Sequence, residues 1–266
     1  MELENAYKRI MDGNIFNQDV KIVFPKGNDL SVDGKLIKGK FGQFLEKWLG
    51  INPGTEELDF EDGDLKTYHS EPGYYPIETI KICKLERKHK DQYHVLIDDY
   101  IDDNPKDFSS TWLYHKISND LLVPRVGSGV TAQFINCFHF KCEVGSEIFQ
   151  QLQSDYIDIC NQMKEFVTGK YVTKNRPGQL HTFNGKYLQI RTAAQNSKTG
   201  KIYSPKLSRE VSHCDFAFYF QKRFVIDICR GKILLEKCAE PIKRDWEQPN
   251  YATRRLALEV NVTQRY

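Results

Sequence analysis

An α/β fold, a mixed sheet flanked by helices, is what this chain of 266 residues predicts. Two observations carry the expectation. Apolar residues recur at helical spacing in two places, at Phe41, Phe44, Leu45, Trp48 and Leu49 and again over the long stretch from Ile148 to Phe166. Around these lie short strand-like runs separated by turn-forming residues such as Ser70-Glu71-Pro72-Gly73. Hydrophobic residues make up 40% of the chain, ample for a packed core in one large domain or two small ones.

The elements follow in order. A short opening helix is expected over 7–15, and 20–24 is an apolar alternation ending in the turn Pro25-Lys26-Gly27. The first helical stripe predicts a helix from about 35 to 49, with Gly50 as its C-terminal cap. Strand-like segments come next at 57–60, 64–69, 77–85 and 93–97. A short helix over 112–119 precedes strands at 121–126 and 134–142, and a long helix over 146–168 buries Ile148, Leu152, Tyr156, Ile159, Cys160, Met163 and Phe166. Beyond a loop at 174–178, which is the candidate hinge, the reading gives a strand over 186–191, a long polar connection over 192–211 and a helix over 216–229. Internal repeats and low-complexity stretches are absent.

Composition narrows the functional classes. No apolar run approaches the ~20 residues of a membrane span. Met1-Glu2-Leu3-Glu4-Asn5 has neither the basic nor the apolar region of a signal peptide, so a cytoplasmic protein is expected. Seven cysteines without a C-x-x-C pair point to reduced thiols. Zinc at Cys137-Phe138-His139-Phe140-Lys141-Cys142 lacks a second ligand pair, and the segment reads better as a strand. With a net charge of only +2, affinity for nucleic acid must come from local clusters. Two exist: Lys35, Lys38 and Lys40, and the series from Lys198, Lys201, Lys206 and Arg209 to Lys222 and Arg223.

The chemistry is concentrated between Leu58 and Tyr68, in L-D-F-E-D-G-D-L-K-T-Y. Asp59 and Asp64 are carboxylates and Lys66 an ammonium. Alternation along a strand sends Asp64 and Lys66 to one face and Leu65 into the core. Hydrolysis of a phosphodiester calls for this set: hard oxygen ligands for Mg²⁺, a source of hydroxide at neutral pH and positive charge facing the transition state. Glu46, beside the apolar stripe of the preceding helix, is a candidate third acid; an ordinary helix-surface ion pair is the alternative.

Four blocks, K-G-K-F-G-Q-F-L-E-K-W-L-G from Lys38, D-F…D-L-K-T from Asp59, G-K-Y-L-Q-I-R from Gly185 and F-Y-F-Q-K-R-F from Phe218, together resemble the MutH-type endonucleases. That family holds a mismatch-repair nicking enzyme and related type II restriction enzymes that cut GATC. The resemblance spans roughly residues 35 to 230 and implies a restriction-endonuclease-like PD-(D/E)xK fold with two lobes around a DNA cleft. The catalytic lobe would cover 1–170, and the recognition lobe with a C-terminal extension 171–266. It further implies catalytic roles for Asp59, Asp64 and Lys66, with Glu46 beside the metals and Lys116, in Y-H-K-I, near the site. Asp59, Asp64 and Glu46 would hold Mg²⁺. Arg191 and Tyr219 match positions that lie at the DNA, and Lys40, Lys198, Lys222 and Arg223 add further contacts. On the expected helix over 216–229, Tyr219 and Arg223 share a face; the competing reading makes Phe218, Tyr219 and Phe224 core aromatics.

The chain departs from the family in three ways. Asp64 replaces the usual Glu, and the interval from Asp59 to it is two residues shorter, so Glu57 is an alternative first acid. Ala193 stands where the family's GATC-reading segment has a lysine, which removes a base-edge donor. The expected function is a Mg²⁺-dependent type II restriction endonuclease acting on double-stranded DNA at GATC or a related site, as a homodimer on the DNA. A strand-nicking repair enzyme and a catalytically silent DNA-binding module are the alternatives.

Overall fold

The computed structural model describes residues 1–24, 31–32, 35–36, 40–51, 58–84, 87–89, 92–94, 107–167, 182–192, 200–204, 209–213, 216–240 and 242. Helices α1 (Leu3–Asp12), α2 (Val20–Val23) and α3 (Lys40–Leu49) bracket the small hairpin of β1 (Ser31–Val32) and β2 (Lys35–Leu36). Strand β3 (Asp64–His69) leads through β4 (Ile80–Lys84) and the hairpin β5 (Arg87–His89) and β6 (Gln92–His94) to α4 (Trp112–Ile117). Strands β7 (Asn119–Val126), β8 (Gln133–Phe134) and β9 (Phe138–Lys141) precede the long helix α5 (Glu147–Val167). Then come β10 (Thr182–Asn184), β11 (Leu188–Thr192), the hairpin β12 (Gly200–Ser204) and β13 (Arg209–His213), β14 (Phe216–Phe220), α6 (Lys222–Cys229) and β15 (Lys237–Cys238).

The fold is mixed α/β, with open sheets flanked by helices. Two sheets organise it. The first runs β15-β9-β7-β3, with β8 also on β7; β3 and β7 are parallel and the remaining pairs antiparallel. The second runs β10-β11-β14-β4, so β4 from the first half of the chain pairs with β14 from the second. The expected hinge at 174–178 lies outside the described residues.

Alternation along β3 and β7 divides the apolar side chains between two cores. Leu65, Leu121 and Val123 join Leu3, Ile10, Leu45 and Phe134 from α1, α3 and β8. Tyr68, Leu122, Phe138 and Phe140 join Leu152, Tyr156, Ile190, Phe218 and Phe224 on the other face. In α3 the stripe Phe41, Leu45 and Leu49 is buried, and Gly50 ends the helix at φ +80°, a conformation that glycine adopts without strain. Arg9 of α1 donates to the Leu49 carbonyl at 3.0 Å and lies over the Trp48 ring, which ties the two helices together.

Several elements differ from expectation. The opening helix starts earlier, at Leu3, because the Leu3 amide is held by Asp62 Oδ1 at 2.7 Å, a contact that only the folded chain makes. Residues 20–24 form one helical turn rather than an extended run. The helix expected from about 35 begins at Lys40, and 58–60 is a bend closed by the Phe60 amide on the Gly63 carbonyl at 2.9 Å. The run 134–142 breaks into two strands at Asn136, whose side chain accepts from the Cys137 amide at 2.7 Å. The polar connection after 192 contains the β12–β13 hairpin. The helix expected over 216–229 is a strand followed by a helix: Phe216–Phe220 is buried throughout, and Gln221 breaks the run by donating to the carbonyls of Gly185 and Leu188. Tyr219 therefore shares no helical face with Arg223.

Candidate active site

The site grows from the turn that feeds β3. Gly63 packs so closely that a Cβ there would meet the Asn119 carbonyl oxygen at 2.3 Å and Leu3 at 2.5 Å, so E-D-G-D needs its glycine for this close approach. Asp62 clamps the turn: its Oδ1 accepts from the Leu3 amide and its carbonyl accepts from Asn119 Nδ2 at 2.8 Å. The result folds Asp59 back onto the start of β3. The Asp59 amide donates to Asp64 Oδ1 at 3.2 Å, and Asp59 Oδ2 accepts from the Leu65 amide at 2.9 Å. The alternative first acid, Glu57, lies outside the described residues.

At the β3 edge of the first sheet, Asp64 and Lys66 share one face, as alternation predicts, and the two are ion-paired. Lys116 arrives from α4 and places its Nζ 2.5 Å from the same oxygen, Asp64 Oδ2. Burial works against ionised Asp64, but Lys66 beside it, the link to Asp59 and Lys116 outweigh that penalty and hold its carboxyl well below the usual range. The proton preference passes to Asp59, which burial and neighbouring Asp64 push up to about 7. Lys66 is held firmly in its charged form: burial disfavours the ammonium, and Asp64, Asp120 and Asp59 more than compensate.

Glu46 approaches along α3. A Cβ on Gly42 would lie 3.5 Å from both Glu46 Oε1 and Thr67 Oγ1, so α3 meets β3 closely at this point. Burial and the charge of Asp64 raise the Glu46 pKa. Sequence reasoning missed Asp120, which the parallel register puts directly opposite Asp64. Asp120 is fully buried, its two oxygens accept no hydrogen bond, and burial raises its pKa well above the ordinary carboxyl value. Its sequence signal is one carboxyl on the strand face that otherwise carries Leu122, Pro124 and Val126.

Hard oxygen donors whose protonation is favoured by burial and then by neighbouring carboxylates suit a divalent cation, because added positive charge is what Glu46, Asp59 and Asp120 lack. Among the described residues, no group of three or more His, Cys, Asp and Glu side chains is already gathered to hold a metal ion. Asp59 and Asp64 are in contact, and Asp64 is occupied by two lysines. Zinc at the 137–142 run finds no support in the packing, since Cys137 and Cys142 enter separate cores. The six described cysteines are free thiols.

The expected DNA-contact residues are dispersed. Arg191 of β11 lies with its guanidinium 4.2 Å from the centre of the Tyr219 ring, and Tyr219 is 7% exposed, a largely buried aromatic. Gln189, Tyr219 and Lys81 stand in one row across β11, β14 and β4. Alternation places them on the face opposite Ile190, Phe218, Phe220 and Ile80, which enter the core. Half-buried Cys83, two residues along from Lys81, packs against the core that holds Ile80 and Ile82. Lys40 opens α3, while Lys222 and Arg223 are exposed at the start of α6, where Arg223 Nε binds Asp227 at 2.9 Å. Lys198 and Ala193 lie outside the described residues. No described helix is long and apolar enough to cross a membrane. Comparison with known proteins finds no matching family model and no matching curated protein.

Proposed function

We propose that the chain is a Mg²⁺-dependent endonuclease of restriction-endonuclease-like fold, a type II restriction enzyme that hydrolyses double-stranded DNA at a short specific site, GATC or a related sequence. The observation that carries the reading is the convergence on Asp64: Asp59 folded onto one oxygen, and Lys66 and Lys116 from two different elements on the other. Asp59 and Asp64, with Glu46 beside them, would hold Mg²⁺, which lowers the pKa of a bound water and neutralises phosphate charge.

The chain's own residues divide the remaining work. Lys66 and Lys116 are cations fixed in a largely buried site, where their charge acts more strongly on a developing phosphorane than it would in water. Asp59, pushed up to about 7 by burial and Asp64 while no cation is bound, would give up its proton readily in favour of Mg²⁺ and so serve as a ligand. Arg191, Gln189 and Lys81 offer a polar face on the second sheet for the DNA backbone or base edges. Lys40, Lys198, Lys222 and Arg223 are assigned supporting phosphate contacts, Tyr219 supports the Arg191 guanidinium, and two copies of the chain act on a symmetric site.

The test is incubation of the purified protein with unmethylated plasmid in Mg²⁺, in Ca²⁺ and in chelator, with the fragment ends sequenced. Discrete Mg²⁺-dependent fragments are expected, and their ends define the recognition site. Open circles alone would instead assign a strand-nicking enzyme. DNA binding with no cleavage would assign a silent binding module.

A further inference from the structure

Asp120 is a carboxyl where packing alone calls for an apolar side chain. Leu121, Leu122 and Val123 beside it in β7 are wholly buried, Asp120 is equally inaccessible, and neither of its oxygens has a hydrogen-bond partner. Buried polar groups are nearly always partnered, and exceptions mark strain or function. The parallel register places Asp120 across from Asp64, on the face that also carries Lys66.

Asp64 has the opposite condition. Its Oδ1 accepts from the Asp59 amide, and its Oδ2 is paired with Lys66 and Lys116. An oxygen holding two ammonium groups has no room, sterically or electrostatically, for a divalent cation. Binding one therefore requires an ammonium to move away. Lys66 is almost fully enclosed, and a charge released there without a new partner is strongly unfavourable.

We propose that Asp120 is a positioning residue, the acceptor that receives the Lys66 ammonium when Asp64 turns to a divalent cation. The inference rests on the endonuclease reading of this same site. Lys66 projects from β3 two residues beyond Asp64, and Asp120 lies one strand away with both oxygens open. A short swing from one strand's carboxylate to its neighbour's, with any proton on Asp120 released to solvent as the ammonium arrives, keeps the ammonium paired. It also keeps the positive charge beside the cation site, where a phosphate would lie.

The test measures Mg²⁺ and Ca²⁺ binding by calorimetry on the full chain without DNA, for wild type, Asp120→Asn, Lys66→Met and the double variant, with thermal unfolding in chelator alongside. Asp120→Asn should unfold at a temperature no lower than wild type, because it loses only an unpartnered carboxyl. It should bind either ion about 10-fold more weakly or worse, the range for removing a group that supports a metal ligand. On the Lys66→Met background the same change should have no further effect, since there is no ammonium left to receive. Equal ion affinity in Asp120→Asn and wild type would overturn the hand-off and leave the endonuclease reading standing. So would an undiminished loss on the Lys66→Met background, which would make Asp120 a direct ligand. Wild-type protein that binds neither ion overturns both readings. Should Asp120→Asn fail to fold, Asp120→Leu fills the same space with apolar atoms and is judged by the same criteria.

Discussion

Asp155 and Asp64 are both buried carboxylates, and they are held in opposite ways. Asp155 of α5 accepts from the backbone amides of Lys186, Tyr187 and Leu188 at 2.9, 2.5 and 2.9 Å, and from Gln151 at 2.9 Å. Gly185 comes so close that a Cβ would meet Asp155 Cγ at 2.5 Å. Every partner there is a neutral donor with nothing to exchange, so the carboxylate works as a knot joining α5 to β11. Asp64 is held by two ammonium groups and one amide, with a second acid folded onto it and a third, unpartnered, one strand away. A buried carboxylate held by backbone amides has fixed partners; one surrounded by other ionisable groups has partners that can change places or protons.

The comparison can be broken most decisively at Asp64. Asp64→Asn should leave DNA binding in place and reduce Mg²⁺-dependent cleavage by about 10³-fold or more, since metal-assisted charge stabilisation is worth several kcal/mol. Equal cleavage by variant and wild type in a plasmid assay would remove Asp64 from the chemistry. Asp155→Ala should do the reverse. It strands the Tyr187 and Leu188 amides in the interior and should cost roughly 3 kcal/mol in urea unfolding, with cleavage per folded molecule close to wild type. A loss of activity without a loss of stability would erase the distinction drawn between the two carboxylates.

A subtler difference lies in the response to pH. Asp59 has a folded pKa of about 7 against an ordinary value of 3.8, so between those limits the folded chain binds more protons than the unfolded one. Its contribution therefore makes stability fall as pH rises from about 4 to about 7, with a slope of at most ~1.4 kcal/mol per pH unit. In chelator, Asp59→Asn should flatten this fall in chemical-denaturation midpoints measured across the window; an unchanged slope would place the raised proton affinity elsewhere. The smallest effect is expected at the second sheet. Arg191→Ala should weaken DNA affinity by about 1 kcal/mol, roughly fivefold, and leave Asp155 and its amides undisturbed. Fluorescence anisotropy on a labelled duplex reads the first effect and the unfolding midpoint the second.

The G-K-Y-L-Q-I-R block shows how the two kinds of site mix in the sequence. It carries part of the resemblance to an endonuclease family, yet Gly185, Lys186, Tyr187 and Leu188 are arranged around Asp155, for packing reasons. Gln189 and Arg191, towards its end, lie on the polar face. Tyr219, expected on a helix, lies on a strand. F-A-F-Y-F is apolar at every position, and such a run suits a buried strand as well as a helix; pairing with β11 and β4 decides for the strand.

The sequence by itself determined whatever depends on neighbours within a few residues. The stripe of α3 and its Gly50 cap, the long α5, and the shared face of Asp64 and Lys66 all follow from periodicities of 3.6 and 2 and from the backbone freedom of glycine. Only the tertiary structure decided which distant groups meet. Lys116, fifty residues beyond Lys66, reaches Asp64 because α4 leads directly into the parallel partner of β3. Asp120 enters the site because that pairing falls in one register rather than another. A shift by a single residue would have sent it into the opposite core, and no local pattern along the chain records that choice.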